Sequence, residues 1–377
     1  TRSKKVEKNA LPVFDVNGDC LYIHRIVIVQ VQKHDLKTML IKNFINNQAG
    51  ERTIFLYSAA LLVEFYISCG FTVTGNMIQD KIEMLYKVHN GLGVVQVDAF
   101  ATQPYQGNPA AVVVLSPKQF NAPNAAQMMQ KIALEMNLSE TAFVSPKESG
   151  IDYNLRWFKP AKEVDICGHA TLAAAFTLYT DKYCAKDQPI RFHTRSGILT
   201  TRHVTLDNGH PGIMMDFPAS KKILHEKTWY SSTQTQLLQA FQLTSSCIIA
   251  IEQYGSDIIC QVDPAAFARV TIPDSTKLIA LDCRATILTC VAPSTSGYDY
   301  FCRFFGPRNG INEDPVTGSA QCALVPYYSN FLSGQTSFCC RQKSARGGDI
   351  HAQLVHNRVI LYGPGVMTLR GTLNWWL

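Results

Sequence analysis

The sequence lacks most of the signatures that fix a function early. It has no GxxxxGK[ST] phosphate loop, no strand-linked GxGxxG and no HExxH. Nucleotide and zinc-hydrolase chemistries of those types lose their usual support. Its twelve cysteines include no zinc-type CxxC pair, and the closest two, Cys339 and Cys340, are adjacent. No metal site is expected from them, and reduced thiols in a cytoplasmic protein fit better than a disulfide framework. The chain starts at Thr1, so a targeting signal further upstream would not be visible. Charge is also sparse, at 17%. The net charge is +6, but Lys and Arg are scattered with no basic stripe and interleaved aromatics, which argues against nucleic acid. The one long apolar stretch, Thr53 to Val73, contains Glu64 and Gly70. It divides into a strand and a helix and does not suggest a membrane span.

What is present is core material. Apolar residues make up 46% of 377 residues, enough for two or three domains. Residues 1–92 read as a unit of their own. Strands are expected at Cys20–Gln30, Thr53–Tyr57, Phe71–Thr74 and Ile82–Val88. Helices are expected at Leu36–Asn47 and Ala60–Ser68. The turn-rich His89-Asn90-Gly91-Leu92-Gly93 ends it. Strands then follow at Val94–Phe100 and Ala110–Leu115, an amphipathic helix at Ala125–Met136, and a strand at Thr141–Val144.

From there the chain repeats itself. Arg156-Trp157-Phe158-Lys159-Pro160 returns as Arg303-Phe304-Phe305-Gly306-Pro307. Cys167-Gly168-His169-Ala170 returns as Thr317-Gly318-Ser319-Ala320. Arg195-Ser196-Gly197 returns as Arg346-Gly347-Gly348. Each unit reads as a strand ending at proline, a glycine turn, and a helix: Leu172–Tyr179 in one, Gln321–Leu332 in the other. Ala173, Ala174 and Ala175 would let the first helix sit close inside surrounding strands. This predicts two halves, 94–218 and 219–377, with the last strand free to return to the first.

A glycine before a helix leaves N–H groups unpaired, and the helix dipole adds positive character. Gly168 and Gly318 together suit a carboxylate or a developing oxyanion. Three titratable residues lie near them. Glu140 is at a helix-to-strand junction among apolar residues, where its pKa should rise. It is either a proton carrier or an exposed turn carboxylate. His169 starts a helix, a setting that favours neutral imidazole or simple packing. Asp314 precedes Pro315, which extends the backbone; it either aims its carboxylate across the turn or is simple turn chemistry. Cys167 would need a second thiol for a symmetric racemase, but its counterpart is Thr317. Pairing Ser319 with His169 for hydrolysis lacks the GxSxG elbow. An acid, a base and two anion-binding turns would move protons without a cofactor.

Five blocks in order resemble the PhzF-like phenazine-biosynthesis family: Val97-Asp98-Ala99-Phe100, Gly107 to Val112, Asn137 to Phe143, Cys167 to Thr171, and Glu313 to Ala320. The eukaryotic branch of that family looks most similar. The resemblance implies the α/β fold of diaminopimelate epimerase: two strand-wrapped central-helix halves with the active site between them. It implies a cofactor-independent proton-moving isomerase of a small cyclic or amino carboxylate, working as a homodimer. Glu140, His169, Asp314 and Ser319 match the family's catalytic residues. Asn108, Ser139, Gly168 and Gly318 are the expected substrate-binding positions beside them. Asn17–Val88 resembles part of a GNAT acetyltransferase. The pyrophosphate-binding turn is degraded there, to Gln32-Lys33-His34-Asp35-Leu36-Lys37. Two further readings stay open: a non-catalytic ligand-binding or protein-interaction module, and a bifunctional protein with acetyltransferase activity.

Overall fold

The computed structural model describes four strands before residue 91, and residues 91–373 apart from 148–149 and 207–208. The chain divides into two compact units. One comprises Thr1–Gly93 with Leu178–Ala185 and Thr372–Leu377. The other comprises Val94–Thr177 and Lys186–Gly371.

In the first unit, β1 (Cys20–Ile23), β2 (Arg52–Ala59), β3 (Thr72–Ile78) and β4 (Lys81–Val88) form one sheet in the order β1-β2-β4-β3. β1 and β2 are parallel, and the β2–β4 and β4–β3 pairs are antiparallel. The register of β3 slips between Val73 and Met77, around Gly75. The four expected strands are therefore met in place, though β3 runs further than Thr74. The remainder of the first strand, to Gln30, and both helices lie outside the described residues. Among the described residues, no helix is long and apolar enough to cross a membrane.

The second unit is built twice over. Its first run pairs β5 (Leu92–Ala99) with β6 (Asn108–Val114), β6 in parallel with β7 (Glu140–Pro146), and β7 with β8 (Asp152–Phe158). After the short β9 (Glu163–Val164) come β10 (Ile190–Thr194), β11 (Gly197–Thr205) and β12 (Pro211–Pro218). β8 and β10 are parallel, β10–β11 and β11–β12 antiparallel.

The second run repeats the pattern. After β13 (Lys222–Ile223), β14 (Ile248–Tyr254) pairs with β15 (Asp257–Val262). β15 lies parallel to β16 (Ala285–Val291), and β16 antiparallel to β17 (Tyr300–Gly306). Then β18 (Ile311–Asp314) leads toward β19 (Ser337–Gln342) and β20 (Gly348–Val355). β17 is parallel to β19, and β19 antiparallel to β20. The long β21 (Arg358–Leu373) joins the ends of both runs. It pairs with β20 and with β12, and lies next to β5 in the sheet. The first run thereby returns to its start, as a strand barrel.

Four longer helices serve this framework: α1 (Ala125–Met136), α2 (Gly168–Thr180), α3 (Lys227–Phe241) and α4 (Gln321–Phe331). α1 falls where its apolar spacing puts it, burying Met128, Met129, Ile132 and Ala133. α3 covers the second run, with Leu237, Ala240 and Phe241 packed among Ile258, Cys260, Leu288 and Phe305.

α2 is apolar on every side, the pattern of a helix inside a core. Ala170, Leu172, Ala173, Ala174 and Ala175 have no exposed surface. Two glycines of β21 let it approach: a Cβ on Gly363 would lie 2.7 Å from Leu172, and one on Gly365 2.9 Å from Phe176. The space is full, so Ala174→Leu should destabilise by about 1–3 kcal/mol through overpacking. Denaturant unfolding measures this, and an unchanged midpoint would show slack around the helix.

α4 is anchored differently. Tyr300 on β17 donates to Gln321 Oε1 at 2.6 Å, Tyr327 donates to Gln261 on β15, and Tyr328 bonds Thr289 on β16 at 2.9 Å. Pro326 interrupts its hydrogen-bond ladder and frees the Cys322 carbonyl. The Ser220 N–H donates to that carbonyl at 2.8 Å, so the proline leaves no orphan acceptor.

Candidate active site

The two glycine turns meet. A Cβ built on Gly168 would lie 3.7 Å from Ser319 N and 3.8 Å from Gly318 Cα. Gly318 itself sits against the ring of Phe100, 3.1 Å from where its Cβ would be. Among the described residues, the N–H groups of Gly168, His169, Gly318 and Ser319 have no backbone partner. These are the donors a helix start leaves over.

Around this gap the fold gathers the titratable residues. Glu140 opens β7, placed there by the parallel pairing of Ala110 with Glu140. His169 is the second residue of α2. Glu140 Oε2 stands 3.2 Å from His169 Nε2, yet off the line of a hydrogen bond, so among the described residues Nε2 is buried without a hydrogen-bond partner. The other face of the ring has one, Cys167 Sγ at 3.5 Å from Nδ1. Asp314 ends β18 and is buried. It accepts from Asn108 Nδ2 at 2.9 Å and from the Thr317 hydroxyl. Asn108 Nδ2 also donates to the Val316 carbonyl at 2.9 Å, which fixes the amide orientation and leaves its Oδ1 buried and, among the described residues, unpartnered. Ser319 accepts from Arg284 Nη1 at 3.1 Å. Ser139 is half-buried and makes no side-chain hydrogen bond among the described residues. All eight positions singled out in the sequence therefore fall on these two turns or the strand ends beside them.

Burial sets the protonation states. It raises the Glu140 carboxyl above its ordinary 4.5, and the nearby Lys159 ammonium partly opposes this. It likewise raises Asp314. It lowers His169 from 6.5 to about 4, against the pull of Asp314. The imidazole is thus neutral at physiological pH, and its contact with Glu140 is not an ion pair. Neutral imidazole was expected, but burial is the largest cause. Burial also pushes the Cys167 thiol well above its ordinary range. A thiol so held is a poor base, and Cys167 packs as a small core residue.

Three contributors were missed. Lys159 Nζ lies 3.7 Å from Glu140 Oε1, just beyond the end of β8. Gln342 on β19 clamps the second turn, accepting from Thr317 N at 2.8 Å and donating to the Asp314 carbonyl at 2.6 Å. Arg284 precedes β16. Only Lys159 sat in a repeated block, where its counterpart is Gly306. Donor atoms of Glu140, Cys167 and His169 lie within 4.8 Å of one another. The ammonium beside Glu140 and the protonated thiol make that trio a poor cage for a cation.

Comparison with known proteins gives the same region. The phenazine biosynthesis-like protein family profile matches residues 97–371. An uncharacterized isomerase of Halalkalibacterium halodurans is 39% identical over 277 residues, covering 74% of this chain and 96% of that one. The human phenazine biosynthesis-like domain-containing protein is 33% identical over 302 residues, covering 75% and 99%. The expected lead of the eukaryotic branch is not seen in these figures. A PhzF-family crystal structure from Enterococcus faecalis shares 34% identity at a TM-score of 0.63, covering 76% of this chain and all of that one. The chain belongs to the phenazine biosynthesis-like protein family, and its activity is of the isomerase type.

Proposed function

We propose that the chain is a cofactor-independent isomerase that moves a proton on a small cyclic or amino carboxylate. The observation that carries this is the Glu140–His169 pair at 3.2 Å, buried beside two facing turns whose N–H groups have no backbone partner among the described residues. Glu140 takes a proton from a substrate carbon and returns it to another, so no redox partner enters the balance. The N–H groups of the Gly168 and Gly318 turns hold the oxygen on which negative charge develops. Neutral His169 donates or accepts at Nε2, and Asp314 orients the turn through Thr317 and Asn108. The unpartnered Asn108 Oδ1 offers an acceptor for a substrate N–H or O–H.

Incubation with cyclic and amino carboxylates in D₂O tests the reading. Deuterium should appear at carbon. Binding without exchange across the panel would instead make the chain a ligand-binding module. The acetyltransferase-like reading of residues 1–92 is tested separately, by acetyl-CoA binding to the full chain.

Lys159 keeps the buried Glu140 usable as a base. Removing the cation in Lys159→Met should raise the Glu140 pKa further. The acid limb of kcat/KM should then move to higher pH, with little change on the alkaline side. An unmoved limb would mean that Lys159 does not act on Glu140.

A further inference from the structure

The two runs of strands correspond by ladder position. Thr141 faces Phe158 across β7 and β8, and Thr286 faces Phe305 across β16 and β17. Phe158 and Phe305 are matching residues of the repeated block. One position back, Glu140 corresponds to Ala285; two back, Ser139 corresponds to Arg284. Across the parallel ladders, Ala110 faces Glu140 and Asp257 faces Ala285, so Ala110 corresponds to Asp257. Thus the first half places a carboxylate with a lysine at the shared gap. The second half replaces them with alanine and glycine, and places an arginine with an aspartate beside them.

This arginine is tightly held. Arg284 Nε donates to Asp257 Oδ1 at 2.7 Å and Nη2 donates to Asp257 Oδ2, a two-pronged pairing with a carboxylate only 3% exposed. Its guanidinium packs over the Phe304 ring, 5.4 Å from the centroid. Nη1 then reaches Ser319 Oγ, next to the Gly318 turn. Three of five donor hydrogens are used, leaving one on each terminal nitrogen. Asp257 is buried while the Arg284 side chain stays 37% exposed, and the desolvation of such a carboxylate can offset the Coulombic gain of its pairing. The first half, with Ala110 and Ser139 in these places, forms the same strand pairings without it. The fold therefore does not require the pair.

We propose that Arg284 is the specificity residue that recognises the substrate carboxylate at the Ser319 end of the gap. The inference rests on the isomerase reading of the same site and adds a polarity to it. A substrate anion beside Glu140 and Asp314 would meet two buried carboxyls. Beside Ser319 it meets a planar fork of donors suited to two carboxylate oxygens, a cation that also offsets Asp314. Asp257 fixes that fork in place. Ser319 Oγ accepts from Arg284, which leaves its own proton available to a ligand. The carboxylate is thereby anchored in the second half, and the carbon acid is presented to Glu140 in the first.

The test uses the full chain with anthranilate and anthranilamide, stable cyclic probes differing in the charged group. Calorimetry should show the wild type binding anthranilate at least about tenfold more tightly. The paired variant Arg284→Gln with Asp257→Asn, which orphans no buried charge, should bind both alike. Arg284→Lys should restore part of the preference. Equal or undetectable binding of the two probes by the wild type overturns the proposal. So does a preference retained by the paired variant with an unchanged melting temperature. Deuterium uptake at substrate carbon is measured separately. Its absence alongside an Arg284-dependent preference would sink the isomerase reading and leave the anion site standing.

Discussion

Glu140→Gln is expected to lower turnover by about 10²–10⁴-fold, the usual contribution of a positioned acid–base group, without loss of stability. Glutamine keeps the shape of the side chain at the head of β7 but cannot carry a proton between two carbons. The stability half of the expectation follows from linkage. Burial raises the folded-state pKa of Glu140. A carboxyl with a raised pKa binds its proton more tightly folded than unfolded. Its ionised form therefore costs stability above the folded pKa, and the cost disappears once pH falls below the unfolded value. At neutral pH the glutamine variant should be as stable as the wild type or more so. That advantage should close as the solution is acidified past about 4.3. Deuterium wash-in at carbon and denaturant unfolding at two pH values measure both halves. Wild-type exchange in the variant would remove Glu140 from the mechanism.

The same protonation states assign the pH profile. An acid limb near 6.5 would ordinarily suggest histidine. Here His169 stays neutral down to about 4. A limb above 4.5 thus belongs to the buried carboxyls Glu140 and Asp314 and not to the imidazole, and it should persist when His169 is replaced; Glu140→Gln separates the two carboxyls.

Much of this site was legible because it is local. The turns at Gly168 and Gly318 repeat within a few residues of a helix start, and Glu140 and Asp314 lie close to proline, glycine or helix-end signals. α1 was legible because Met128, Met129, Ile132 and Ala133 recur at helical spacing. What escaped depends on pairing between distant strands. Lys159 reaches Glu140 only because Phe158 lies opposite Thr141. Gln342 reaches Thr317 from β19, which lies alongside β17. Arg284 stands in a segment where the two halves no longer share letters, and the ladder register alone reveals that it matches Ser139. The helices expected before residue 70 fall outside the described residues. The first-unit strands, which follow runs of β-branched and aromatic residues, lie close to where they were expected.

Replacing His169 should change how stability responds to acid. A base with a depressed pKa takes its proton in the unfolded chain first. Stability is therefore intact above 6.5, falls as pH drops from 6.5 to about 4, and levels off below. The full difference of about 2.5 pKa units corresponds to about 3 kcal/mol, at 1.36 kcal/mol per unit. Glu140 and Asp314, both raised, act in the opposite direction over an overlapping window, while Lys159 and Cys167 complete the surroundings of the ring. The wild-type curve alone would hide the effect. The useful quantity is the stability of His169→Gln minus that of wild type, followed from pH 7 to pH 4. It should rise by about 3 kcal/mol on acidification if burial holds the imidazole neutral. A flat difference would mean that His169 protonates at its ordinary pKa in the folded chain. The neutral donor–acceptor role assigned to Nε2 would then fail with it, because a protonated ring facing Glu140 makes an ion pair rather than a relay.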